Sequence, residues 1–168
     1  MFFGIELKKL NINNIMFSES IKNNIIDNNY FYKFNYSDNF IVFNNLYIVL
    51  DFQNYKIIND KIIFNENDNF YIIQELIKIE NYLLDFIKTN KKKIFKLREI
   101  LENNSIKFYY NNNIFDNNYI LKLDKDLYQK KKSIILKISG CWESDDNIGL
   151  TFKFILFNNI YKFYPSVE

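Results

Sequence analysis

At 168 residues, 48% hydrophobic and 19% aromatic, the chain is long enough for one domain with a real core, and its net charge of +2 gives no overall field announcing a polyanion partner. The absence of His and the single Cys remove the commonest general base, the usual Cys/His zinc sites and any intramolecular disulfide, and a lone thiol fits a reducing cytoplasm. Ala is also absent, while Asn, Ile, Lys, Phe and Tyr are abundant, which is the signature of an extremely AT-rich gene and makes residue abundance partly mutational.

Residues 2–10 read as a first strand, with Phe3, Ile5 and Leu7 in one phase. Residues 11–29 are irregular, with a short strand at 15–17 and a turn of helix near 20–26. A hairpin follows, from a strand at 30–36, a turn at 37–39 and a strand at 40–43. Residues 46–52 form the next strand, and 55–58 with 61–64 flank an Asn59-Asp60 turn. The period then changes. Asn67 to Asn69 offer helix caps, and Ile72, Ile73, Leu76, Ile79, Leu83 and Ile87 recur at helical spacing. Thr89-Asn90 breaks this helix and residues 91–102 restart one, with Ile94, Leu97 and Leu101 inward. Strands return at 106–110, 114–115 and 119–123, with a turn at 111–113; the Asn runs are loop tips.

Residues 133–157 are the sharpest feature. Ile134, Leu136 and Ile138 alternate on one arm, and Leu150, Phe152, Phe154 and Leu156 on the other, around a polar loop at 143–149. Pairing Trp142 with Leu150 sets Gly140 against Phe152, Ile138 against Phe154 and Leu136 against Leu156. Trp142 then anchors the core, unless a bulge at Gly140 reverses its direction. The opposite face carries Lys137, Ser139, Thr151 and Lys153.

Within this hairpin, ISGCWESDDNIGLTFKFI at residues 138–155 resembles the C-terminal SGxWE…xGLTxKF segment of single-stranded DNA-binding proteins of large cytoplasmic DNA viruses, and of their counterparts on linear cytoplasmic yeast plasmids. Gly140, Trp142, Glu143, Gly149, Leu150, Thr151, Lys153 and Phe154 match in order, and Cys141 stands where an aliphatic residue is expected. The resemblance spans about the last fifth of the chain and implies a non-enzymatic replication protein. The order of strands, a helical interlude and further strands independently suggests an α+β chain, mainly β with a helical insertion: a single OB-like domain over 1–168, an OB-type barrel with extra hairpins. A β-sandwich with an inserted helical pair gives the same order.

Little in the chain can carry catalysis. Cys141 has no His partner, no two glycines are close enough for a phosphate loop, and Glu143, Asp145 and Asp146 lack calcium-loop spacing. No cofactor or metal is expected. Asp124 and Asp126 form only a bare DxD, and the lysine runs at 91–93 and 130–132 suit a solvated surface as well as a phosphate. What remains is Lys beside aromatic residues on strands, the pattern that holds single strands by charge and stacking. Tyr32, Phe34 and Tyr36 share one strand face, with Phe31, Lys33 and Asn35 on the other. With Tyr47, Lys107, Tyr109, Lys137, Trp142 and Lys153, the residues Tyr32, Lys33, Phe34 and Tyr36 make up the candidate nucleic-acid site. Most rings in so aromatic a chain must pack in the core, so stacking and packing stay open for each.

The expected function is sequence-independent binding of single-stranded DNA in replication of an AT-rich cytoplasmic virus or plasmid. The alternative is a structural or protein-interaction component of such an element. The expected partners are single-stranded DNA, replication proteins of the same element and a second copy of the chain. The N-terminus lacks a signal-peptide layout and no apolar run reaches spanning length, which predicts a cytoplasmic protein without a membrane partner.

Overall fold

The computed structural model describes residues 3–22, 30–38, 42–110, 133–157 and 161–163. Strand β1 (Phe3–Glu6) is followed by two 3-10 turns, Leu7–Lys9 and Ile12–Asn14, then by β2 (Ile15–Lys22), β3 (Tyr30–Ser37), β4 (Val42–Asn44) and β5 (Leu46–Leu50). The hairpin of β6 (Lys56–Ile58) and β7 (Lys61–Ile63) leads into α1 (Glu66–Phe86), then β8 (Lys92–Ile94) and α2 (Lys96–Glu102). The rest is β9 (Ser105–Tyr110), β10 (Ser133–Glu143), β11 (Asn147–Phe157) and β12 (Tyr161–Phe163). The described residues are thus mainly β with two α-helices, an α+β arrangement.

Several boundaries move from where local pattern puts them. Residues 20–22 extend β2 instead of starting a helix, and residues 92–94 form β8 instead of the first turn of α2. Lys92–Ile94 lies parallel to Asn147–Gly149, so a long-range ladder overrides a weak local helical period. Helix α1 is capped two residues earlier than predicted, by Asn65, whose side chain accepts from the Asn67 amide at 2.8 Å. Asn69 is instead buried, and its amide joins the segment after β5 to α1 through Gln53. All four described non-glycine residues with positive φ are Asn: Asn45, Asn54, Asn59 and Asn104. In a chain with three Gly, Asn takes the left-handed turn positions. The predicted turn at 111–113, the strands at 114–115 and 119–123, and the lysines at 130–132 lie outside the described residues, as do residues 23–26 and 39–41.

The strands form one mixed sheet along the path β12-β1-β5-β10-β11-β9-β7-β6, with β3 attached to β10 and carrying β2 and β4. Strand β1 runs parallel to β5 and β12, and β8 and β9 run parallel to β11; the other pairs are antiparallel. The ends β12 and β6 do not pair with each other among the described residues, so the path is open where a closed OB-type barrel would join. One face packs on α1 and α2 through Ile48, Ile62, Leu76, Leu83, Leu97, Leu101, Ile106, Leu136 and Ile138. The N-terminus of α2 lacks a cap of its own and receives one from α1: Glu80, fully buried, accepts from the amides of Leu97 and Arg98 at 2.8 Å each.

The β10–β11 register differs from the sequence-based pairing. Leu136 pairs with Phe154 and Ile138 with Phe152; Ser139 is then an unpaired bulge residue, and Gly140 meets Thr151, Cys141 meets Leu150 and Trp142 meets Gly149. The loop shortens to residues 144–146, closed by the Ser144 amide donating to the Asn147 carbonyl at 2.9 Å. Before the bulge β10 pairs with β5, and after it the same edge pairs with β3. At the crossing, a Cβ on Gly140 would lie 2.1 Å from the Tyr32 carbonyl oxygen and 2.6 Å from the Phe31 ring. Gly140 is needed for that close approach of backbone, and Phe31, not Phe152, covers it. Gly140→Ala is expected to cost at least about 2 kcal/mol, because backbone has to move to relieve the overlap. Urea melts of the two proteins check this, and an unchanged midpoint would refute the close approach.

Candidate nucleic-acid interface

The bulge decides which side chains face outward. Ile134, Leu136 and Ile138 point into the core, and after Ser139 the inward position passes to Cys141, which is fully buried. Burial pushes its thiol up to about 12, so no thiolate is available for nucleophilic chemistry at neutral pH. Trp142 therefore leaves the core and lies on the outer face, flat against Gly149: a Cβ there would come within 2.7 Å of the indole. The single Trp is thus a half-buried residue covering a strand glycine on the outer face: the predicted register makes it a core anchor, and the bulge allowed for at Gly140 is what reverses it.

The outer face of five neighbouring strands carries a row of side chains at one level. Lys137 on β10 is directly opposite Lys153 on β11 and, on its other side, Tyr47 on β5. The Lys137 ammonium lies 5.6 Å from the Tyr47 ring centre. On β9, Phe108 pairs with Phe154, so Lys107 stands one step along beside Lys153. Lys107 in turn is directly opposite Lys61 on β7. Four lysines thus cross β7, β9, β11 and β10. With Tyr47 the row covers four inter-strand steps, roughly 19 Å at about 4.8 Å each. Like charges directly opposite on a sheet oppose folding, and two such pairs, Lys61/Lys107 and Lys137/Lys153, lie in this row.

Beside the row a cleft of about 460 Å³ is lined by Trp142, Tyr109, Ile100, Lys96, Lys107 and the strand from Leu150 to Phe154, including Lys153. Strand β11 pairs with β8 through Gly149 and with β9 from Phe154, and the cleft opens on the stretch between. Tyr109 is half exposed, at 53%. Flat rings with three ammonium groups around them can hold an unpaired base and its phosphates.

Of the ten predicted site residues, Lys107, Tyr109, Trp142 and Lys153 line this cleft, and Lys137 and Tyr47 continue the row. Lys33 sits further along the outer face, opposite Gly140, with its ammonium 3.3 Å from the Asn44 side-chain oxygen. Of the other three, Phe34 and Tyr36 are 0% and 1% exposed in the main core, which corrects their reading as stacking rings; Tyr32 is half-buried against that core and lines a separate cleft with Phe17 and Phe86, away from the lysine row. They occupy the inward phase of β3, and strand phase alone does not say which phase is inward. Lys61 and Lys96 escape the sequence reading. Lys61 is in the outward phase beside buried Ile62, but its neighbour Lys107 is distant in sequence.

Behind the face, Glu143 forms a polar anchor in place of the predicted loop position. It is buried at the end of β10 and accepts from the Tyr32 hydroxyl at 2.7 Å and Thr89 at 3.4 Å, and pairs with Lys91 at 3.1 Å. Lys91 also donates to the Ser144 carbonyl, and Lys93 pairs with Asp85, so two of the three lysines at 91–93 hold the fold together. Burial acts to raise the Glu143 carboxyl, but the hydrogen bonds from Tyr32, Lys91 and Thr89 outweigh it and hold it below the usual range. Burial, then the bond to Glu143, pushes the Tyr32 phenol up to about 12. A carboxyl depressed in the folded state adds stability above its unfolded value and loses it as the pH falls through the folded value. Glu143→Gln should therefore cost about 2 kcal/mol at neutral pH, and the gap from wild type should close on acidification below the ordinary carboxylate range. Urea midpoints of both proteins across that range check it; a gap independent of pH would refute the ion pair.

Among the described residues, no helix is long and apolar enough to cross a membrane and no cluster of acidic or Cys side chains has metal-site geometry. No family model, curated protein or solved structure matches the chain.

Proposed function

We propose that the chain binds single-stranded DNA, without preference for base sequence, across the outer face of its sheet. The observation that carries this is the lysine row with its two directly opposed like-charged pairs, running beside a cleft lined by Trp142 and Tyr109. Lys107 already has the Asp60 carboxylate beside it, but Lys137 and Lys153 face each other at a cost to folding that an incoming anion relieves, and the open cleft suits an unpaired base better than a stacked pair. The likeness of residues 138–155 to replication proteins of cytoplasmic viruses and plasmids supports a role in replicating an AT-rich element of that kind. We take the open sheet as an elaborated OB-type barrel, unjoined between β12 and β6, in which β10 passes from β5 to β3 as a wall strand does at a barrel corner.

The test is titration of labelled oligo-dT and of duplex of equal length at two salt concentrations. Single strands should bind well above duplex, with quenching of the fluorescence of Trp142, the only Trp. Lys137→Ala with Lys153→Ala should leave the melting curve intact or raise it, and flatten the slope of log affinity against log salt by about 1.4, at about 0.7 per phosphate contact. Trp142→Ala should weaken binding about tenfold or more, the loss expected of one stacked base. Equal affinity for duplex, or no binding at low salt, would refute the proposal and favour a protein-interaction role.

A further inference from the structure

We propose that Lys61 and Lys107 form a phosphodiester subsite at the end of the lysine row, and that the carboxylate of Asp60 occupies the phosphate position in the free protein. This rests on the single-strand function proposed above and adds to it an internal competitor. Asp60 lies in the turn between β6 and β7, where Asn59 takes a left-handed φ of 55°. The turn is fastened to β9 by the Phe108 amide, which donates to the Asp60 carbonyl at 2.9 Å. That fixes the Asp60 side chain beside Lys107, with Oδ2 and Nζ 3.2 Å apart. Lys61 is directly opposite Lys107 and adjacent to Asp60 in sequence, so its charge also acts on the carboxylate that Lys107 holds. Both partners of the ion pair remain more than half exposed, at 60% and 52%, so water screens it and an incoming phosphate can displace it. Among the described residues the other opposed pair, Lys137 and Lys153, has no carboxylate partner, and Lys137 faces the Tyr47 ring. The row therefore has an end that is ready for phosphate and an end that must exchange one anion for another.

Asp60→Asn keeps a residue suited to the turn and removes the competitor. In the oligo-dT titration this variant should bind about two- to fivefold tighter than wild type, the range expected from releasing one exposed ion pair. Its salt slope should steepen by about 0.7, as Lys107 now releases a counterion of its own. The gain should vanish when Lys107→Ala is added, and Glu19→Gln on β2, which removes the same charge, should give none. Unchanged or weaker binding by Asp60→Asn would overturn the subsite, as would a gain that survives Lys107→Ala or is matched by Glu19→Gln. Loss of the subsite alone would leave the flattened slope of Lys137→Ala with Lys153→Ala in place. If wild type binds no single strand at all, both proposals fall.

Discussion

The structure turns on one extra residue. Ser139 has no partner on β11, and the bulge it makes lets one edge of β10 serve two strands, β5 before it and β3 after it. The same residue reverses the inward and outward phases of β10, burying Cys141 and turning half-buried Trp142 to the outer face. Gly140 makes this feasible, since only a residue without Cβ admits the Tyr32 carbonyl at that distance.

Two buried carboxylates then tie the helical segment to the sheet. Glu80 on α1 caps the start of α2, and Glu143 at the end of β10 gathers Tyr32, Thr89 and Lys91. Each satisfies its oxygens with donors from distant parts of the chain, so neither charge is left bare in the interior. Their joint effect is to fix the segment from Thr89 to Glu102 against β11, which sets Lys96 and Ile100 at the rim of the cleft. The outer face is thereby held by groups that do not belong to it. That division lets the lysine row carry unfavourable like-charged contacts while the opposite face supplies the stability.

Much of the local structure was legible in the sequence. The strands at β3, β5, β6, β7 and β9, the long helix and the final hairpin follow from period, and the Asn59-Asp60 turn follows from turn chemistry. The outward phase of Lys137 and Lys153 was legible for the same reason, because each alternates with apolar neighbours such as Leu136 and Phe154 that prove buried. For β3 alternation gave two phases without saying which faced the core, and Phe34 and Tyr36 took the inward one. The strand at Lys92–Ile94 was not legible, since its only reason to be extended is a ladder with residues more than fifty positions away.

What the sequence by itself determined is most of the elements, the mainly β character and the two-sided hairpin at residues 133–157. Periodicity records which side chains share a face, and that is a local property of the backbone. Tertiary structure alone decided the bulge at Ser139, the turn of Trp142 to the outer face, the open sheet and the row that brings Lys61, Lys107, Lys153 and Lys137 to one level. Each depends on which strands become neighbours and in what register, and one residue of slip exchanges the faces of everything beyond it.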